Sequence, residues 1–230
     1  MNKVINSFSL VVILVWCFFA LGFINDLNFS VYQIRSIPFI VEIVYAITVV
    51  VLLLGLLRIK RRWEGLRDIK KFTKFIYTTR LSKKSIGLST VFMSIETVFM
   101  IFFILLSLDA YLMDKGTLLL PMFAVLSFLS IESIIFLIKL RTDPNIKIGV
   151  NKNLVAYFDR EMHIYYFDGL QQISVYQNRL HFKYKTDLNM FMELDIIPTD
   201  ELPNFKTALQ SVLQDKDVFF DESFRELGVK

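Results

Sequence analysis

Four long apolar runs constrain this chain more than any other feature. They are residues 4–25, 36–57, 85–108 and 116–138. A bilayer hydrocarbon core of about 30 Å needs roughly 20 apolar helical residues to cross it. The first run carries no charge between Lys3 and Asp26, and the other three carry one acid each: Glu42, Glu96 and Glu132. Such runs are too long for core strands and too uniformly apolar for surface helices, so they read as four spanning helices.

The Lys and Arg content of the loops sets the orientation. The first connection, 26–35, and the third, 109–115, hold one basic residue each. The second, 58–84, holds eleven against Glu64 and Asp68, a net of +9. That loop is expected in the cytoplasm, with both termini on the same side, as Lys139 and Arg141 after the fourth run support. The expected location is the bacterial inner membrane. A short basic start before an apolar core also opens a secretory signal peptide, and Ala20-Leu21-Gly22 fits a cleavage site. The long apolar core favours an uncleaved span. Cys17 is the one cysteine, which rules out an internal disulfide and a cysteine-based zinc site.

Within the basic loop, Trp63, Leu66, Ile69, Phe72, Phe75 and Ile76 recur at i+3 and i+4 steps. This is one apolar stripe of a helix, with Arg61, Arg62, Arg67, Lys70, Lys71 and Lys74 mostly on the other side. A helix of that kind suits the inner membrane surface, so Trp63 and those basic residues are candidates for contact with anionic lipid head groups. Topology alone accounts for the positive charge, and no nucleic-acid partner is expected.

Acids within spans cost at least a few kcal/mol when ionised. Glu42 lies near an end of its run and reaches the interface by snorkelling. Glu96 and Glu132 lie on runs of opposite direction at depths roughly 7–8 Å apart, close enough for long side chains or a water to link them. Ser89, Met93, Glu96 and Met100 share a helical face, with Thr90 and Thr97 beside it, and that face is expected to turn inward. No basic residue lies within a run. Glu96 is therefore expected to be protonated and hydrogen-bonded to a neighbouring helix, or to form a proton or cation site with Glu132.

Apolar excess is confined to residues 1–142; residues 143–230 have ordinary soluble composition, with ten basic and fourteen acidic residues. An acidic tail (net −4) beside a basic loop predicts contact between them. The tail's periodicity is two. Strands are expected over 146–150, 154–158, 162–167, 170–176, 179–185 and 190–196, with a tight turn at Gln177-Asn178. Thr199 is placed to cap a helix running to about Gln214, whose apolar face is Leu202, Phe205, Leu209, Val212 and Leu213. The expected fold is an α-helical membrane domain of four transmembrane helices (1–142, with the basic cytoplasmic loop 58–84). A C-terminal α+β domain (143–230) follows, an antiparallel sheet or partial barrel plus one helix.

Two stretches resemble the bacterial pleckstrin-homology-like (PH-like) domains of small membrane proteins, especially the YcxB-like type. One is Tyr166-Phe167-Asp168-Gly169-Leu170-Gln171-Gln172-Ile173; the other is Leu194-Asp195-Ile196-Ile197-Pro198 with the helix after it. The resemblance covers roughly residues 146–214. It implies a docking or sensing module and carries over no functional residue. Two features depart from that pattern: four runs precede the domain rather than two, and six strands are read rather than seven.

No catalytic constellation is found. His163 and His181 lie on separate strands, and there is no phosphate-binding glycine loop, HExxH, GxSxG or cysteine pair. The expectation is a non-enzymatic membrane adaptor or sensor without cofactor or metal. Its tail binds a protein, a lipid head group or a small ligand, or self-associates. The alternatives are a small proton- or cation-conducting or membrane-permeabilising protein using Glu96 and Glu132, with the tail as gate, and a polytopic immunity-type protein.

Overall fold

The computed structural model describes residues 11, 14–16, 21–22, 28–29, 32–33, 38–71, 74–112 and 117–228. Most of the first apolar run therefore lies outside the described residues; its positions 11, 14–16 and 21–22 are helical. A two-stranded antiparallel pair follows, β1 (Asn28–Phe29) with β2 (Tyr32–Gln33). Three long helices come next: α1 (Ile40–Lys71), α2 (Lys83–Leu112) and α3 (Leu120–Thr142), the last entered through a 3-10 turn at Thr117–Leu119. All three are long and apolar enough to cross a membrane. Large apolar side chains such as Leu53, Val98, Leu105, Ile131 and Ile138 are exposed along them, as lipid-facing positions must be. The chain is a multi-pass membrane protein.

α1 does not end where its apolar run ends. Its 32 residues rise roughly 48 Å, well beyond the hydrocarbon thickness. After it comes β3 (Tyr77–Arg80), and after α3 come β4 (Lys147–Val150), β5 (Leu154–Phe158), β6 (Met162–Tyr166), β7 (Leu170–Tyr176), β8 (Arg179–Tyr184) and β9 (Asn189–Glu193). The chain ends in α4 (Leu202–Leu213), β10 (Phe219–Phe220) and α5 (Glu222–Arg225). One antiparallel sheet has the order β3-β4-β5-β6; the other has the order β10-β7-β8-β9, with β10 parallel to β7.

The chain divides into two compact units. Unit 1 is Met1–Lys60 with Phe92–Leu137, and unit 2 is Arg61–Val91 with Ile138–Lys230. These bounds differ from a cut between residues 142 and 143. The reason is β3, which pairs with β4 from Tyr77↔Val150 to Arg80↔Lys147. The basic loop supplies the first strand of the tail's sheet, and two antiparallel meanders of four and three strands precede α4.

The core of unit 1 gathers Trp16, Val44, Val51, Met100, Phe103, Leu119, Met122 and Leu126. Gly55 lets α1 approach α3 closely, since a Cβ there would stand 2.4 Å from Leu129 Cδ2. In unit 2, Phe158, Phe182, Phe205 and Phe224 are fully buried, each worth about 1.5–3 kcal/mol of apolar burial. Leu180, Phe182 and Tyr184 point inward along β8, as their alternation predicts. Gln177 and Asn178 both take positive φ (48° and 60°), so the two-residue hairpin twists with its strands.

Several expected strand ends shift by one residue, and two boundaries move further. The last strand of the second meander stops at Glu193, and Leu194–Ile196 turns as a 3-10 helix instead of continuing to residue 196. Thr199 does not cap α4: Thr199–Glu201 is a further 3-10 turn, and the helix starts at Leu202 with Pro203 in its first turn, where the missing N–H costs nothing.

Candidate functional site

Three groups of residues carry chemistry: the acids of unit 1, the basic segment of unit 2, and the two histidines. Glu42 is exposed in the first turn of α1. Glu96, half-buried on α2, forms an ion pair with the guanidinium of Arg58 on α1. No basic residue lies within a run, as the sequence shows, yet one from just beyond a run reaches Glu96. Arg58 stands one residue beyond the apolar run, and because α1 continues as a helix its long side chain reaches the neighbouring helix. The face carrying Glu96 turns inward as predicted, with Met93, Thr97 and Met100 buried. The Thr97 hydroxyl donates to the Met93 carbonyl and shares a 2.8 Å hydrogen bond with Ser133 Oγ of α3. Such interhelical bonds average roughly 0.6 kcal/mol within a membrane. Glu132, half-buried, precedes Ser133 on α3.

From Arg61 onward the basic segment belongs to unit 2. Helix α1 stops at Lys71, so Phe75 and Ile76 lie beyond it, and Phe72 is outside the described residues. Leu66 and Ile69 are buried, and Gly65 lies so close to the sheet that a Cβ would meet Phe158 at 2.7 Å. At Gly65 the helix lies against Phe158 of β5 and Met162 of β6, and all five residues of β5 are buried. Phe75 lies against Gly149 of β4 in the same way. Trp63 receives the Lys139 ammonium 4.4 Å from its ring centroid. Arg62 is buried, Arg61 is half-buried, and Lys74 is exposed.

Contact between basic loop and acidic tail is realised inside unit 2. Lys70 pairs with Asp143 at 3.5 Å and Lys84 with Asp195 at 2.6 Å. Other cations pair locally, Arg67 with Glu64 and Lys71 with Asp68. Asp143 is desolvated, which raises its pKa, but the Asn145 backbone and side-chain N–H groups and Lys70 outweigh this and hold its carboxyl below the usual range. Lys84 and then Asn178 hold Asp195 low. Glu161 is pushed up by burial, against the pull of His163, Arg160 and Arg61. Ser82 caps α2, accepting from Ser85 N–H at 3.1 Å while donating to the Asp195 carbonyl. The 3-10 turn at Leu194–Ile196 is therefore bolted to the start of α2, which is why β9 cannot run on.

His163 stacks on Tyr157 at 4.5 Å and lies 3.8 Å from Asp159; His181 stacks on Phe191 at 4.6 Å and bonds Asn189 at 3.0 Å. Among the described residues, no group of three or more His, Cys, Asp and Glu could hold a metal ion. Sequence reasoning missed Arg58 as a partner and β3 as a strand. The aromatic and β-branched Tyr77-Thr78-Thr79 segment was the available signal for the strand.

Compared with known protein families, curated proteins and solved structures, the chain finds no match in any of the three.

Proposed function

We propose that the chain is a four-span protein of the bacterial inner membrane, with both termini cytoplasmic, whose unit 2 is a PH-like adaptor or sensor module without enzymatic activity. The observation that carries this reading is the pairing of β3 with β4 across the α2–α3 hairpin. It supports a module built into its anchor, held at the membrane surface rather than tethered by a linker. The four-then-three strand order followed by a helix supports the PH-like assignment, since β3 supplies the strand that the tail alone lacks. The helical positions of the first apolar run, with Trp16 in the core of unit 1, support the fourth span. The net charge of +9 on 58–84 supports the orientation.

Of a protein, a lipid head group and a small ligand, the lipid head group has the best support, because the module's basic residues cluster where α2 begins and α3 ends. Conduction through Glu96 and Glu132 has less support, since Glu96 already holds a fixed cation partner. Photo-crosslinking from Tyr176 and Phe191, exposed on β7 and β9, tests the docking role in intact membranes. The adaptor reading expects a discrete lipid or protein adduct on the full chain. The absence of any adduct from either position would overturn it.

A further inference from the structure

Unit 2 contains an open groove of about 840 Å³ where the end of β3, the start of α2, the end of α3 and the Pro198–Glu201 turn meet. Its polar lining includes Arg80, Lys83, Thr90 and Arg141. Arg80 donates to the Arg141 backbone carbonyl and so covers the negative end of α3. Among the described residues, neither Lys83 nor Arg141 pairs with a carboxylate, and both are exposed. Thr90 is 93% buried by its 7% exposure, yet its hydroxyl has no hydrogen-bond partner. A buried hydroxyl gains from a hydrogen-bond partner, which a ligand seated in the groove would supply.

The arrangement along α2 has a direction. Lys83, Ile86, Gly87 and Thr90 follow one another on one helical face. A Cβ at Gly87 would meet nothing within 4 Å, so the groove is open beside it. Beyond Thr90 comes Val91, exposed and apolar, on a helix that is itself a candidate span. Reading from Lys83 onward gives cations, then a hydroxyl, then an apolar surface. Asp200 and Glu201 also line the groove, so against Arg80, Lys83 and Arg141 its net charge is +1. Glu201 accepts from the Tyr77 hydroxyl at 2.9 Å and from Asn204 at 3.1 Å, and Asp200 pairs with neither Lys83 nor Arg141.

We infer that this groove binds one membrane phospholipid, its phosphate held by Lys83 and Arg141 beside Arg80, an ester oxygen at the Thr90 hydroxyl, and an acyl chain along Ile86 and Val91. Phosphate is the chemistry that matches charge-assisted donors, and the apolar wall selects a lipid over a free phosphate. The inference rests on the reading of unit 2 as a membrane-surface module. Crosslinking from Tyr176 and Phe191 tests that reading separately, on other strands.

The test is native mass spectrometry of the full-length chain in mild detergent with added phosphatidylglycerol. The wild type should hold one lipid. Lys83→Gln/Arg141→Gln should bind on the order of thirtyfold more weakly, given what each cation contributes near an anionic head group. Lys152→Gln/Lys185→Gln, which removes equal charge from exposed positions elsewhere in unit 2, should bind like the wild type. Gly87→Leu should fold normally, because it points into open space and favours the helix, and should lose the lipid by filling the groove. Soluble glycerol phosphate should not displace the lipid. Equal binding by Gly87→Leu and the wild type would overturn the site, as would equal weakening by both double variants. Displacement by glycerol phosphate would overturn the lipid in favour of a soluble phosphate ligand.

Discussion

Removing one member of the Arg58–Glu96 pair strands the other charge, so Glu96→Gln is not the neutral change that an uncharged Glu96 would make it. The side chains are 19% and 26% exposed, and breaking a partly buried pair from one side costs about 1–3 kcal/mol, below the range for full burial. Thermal unfolding in detergent should show that loss for Glu96→Gln, and the exchange Arg58→Glu/Glu96→Arg should recover most of it. Equal stability of Glu96→Gln and the wild type would mean the pair contributes nothing. Asp143 gives a pH prediction. Its carboxyl is held below its ordinary 3.8, so its contribution is fully present above that value and is lost as pH falls through the folded value. Stability of unit 2 should therefore decline below about pH 4, and Asp143→Asn should lower stability at neutral pH while flattening this acid limb. An unchanged acid limb in the variant would remove Asp143 from the account.

The strands of the tail were legible because period two and turn chemistry agree there: 154–158 and 170–176 match their expected bounds, and Gln177-Asn178 turns as expected. The basic loop was less legible because its charge has two sources. Topology demands lysines and arginines there, and that demand hides both the four residues of β3 and the use of Lys70 and Lys84 as partners of the tail. Its apolar stripe was read correctly as a stripe, but periodicity does not say what covers it; a sheet and a membrane surface ask for the same pattern. Arg58 escaped notice because an apolar run ends in the sequence before the helix ends in space. The close contact at Gly65 makes the new assignment testable. Gly65→Leu forces a side chain into Phe158, which is fully buried, and overpacking of this kind costs about 1–3 kcal/mol. A lowered melting temperature of the full chain is expected. An unchanged one would place the stripe away from β5.

On the scale of the whole molecule, pairing of β3 with β4 requires the α1–α2 connection and the tail to lie on one side of the membrane, which two crossings by α2 and α3 provide. If the basic loop 58–84 draws that side into the cytoplasm, reporter fusions at Asn28 and Lys115 should read outside, and those at Gly65 and Lys230 inside; the reverse pattern at Gly65 would overturn the orientation. Everything proposed for unit 2 depends on its being one domain made from two segments, and a cross-link between them asks this directly. In a Cys17→Ser background, Arg80→Cys and Lys147→Cys place thiols on directly paired residues of β3 and β4, within disulfide reach. Mild oxidation of native membranes should convert the full chain to the intramolecular disulfide, detected by a mobility shift that reductant reverses. Two thiols that stay free and fully open to maleimide after oxidation would contradict the account.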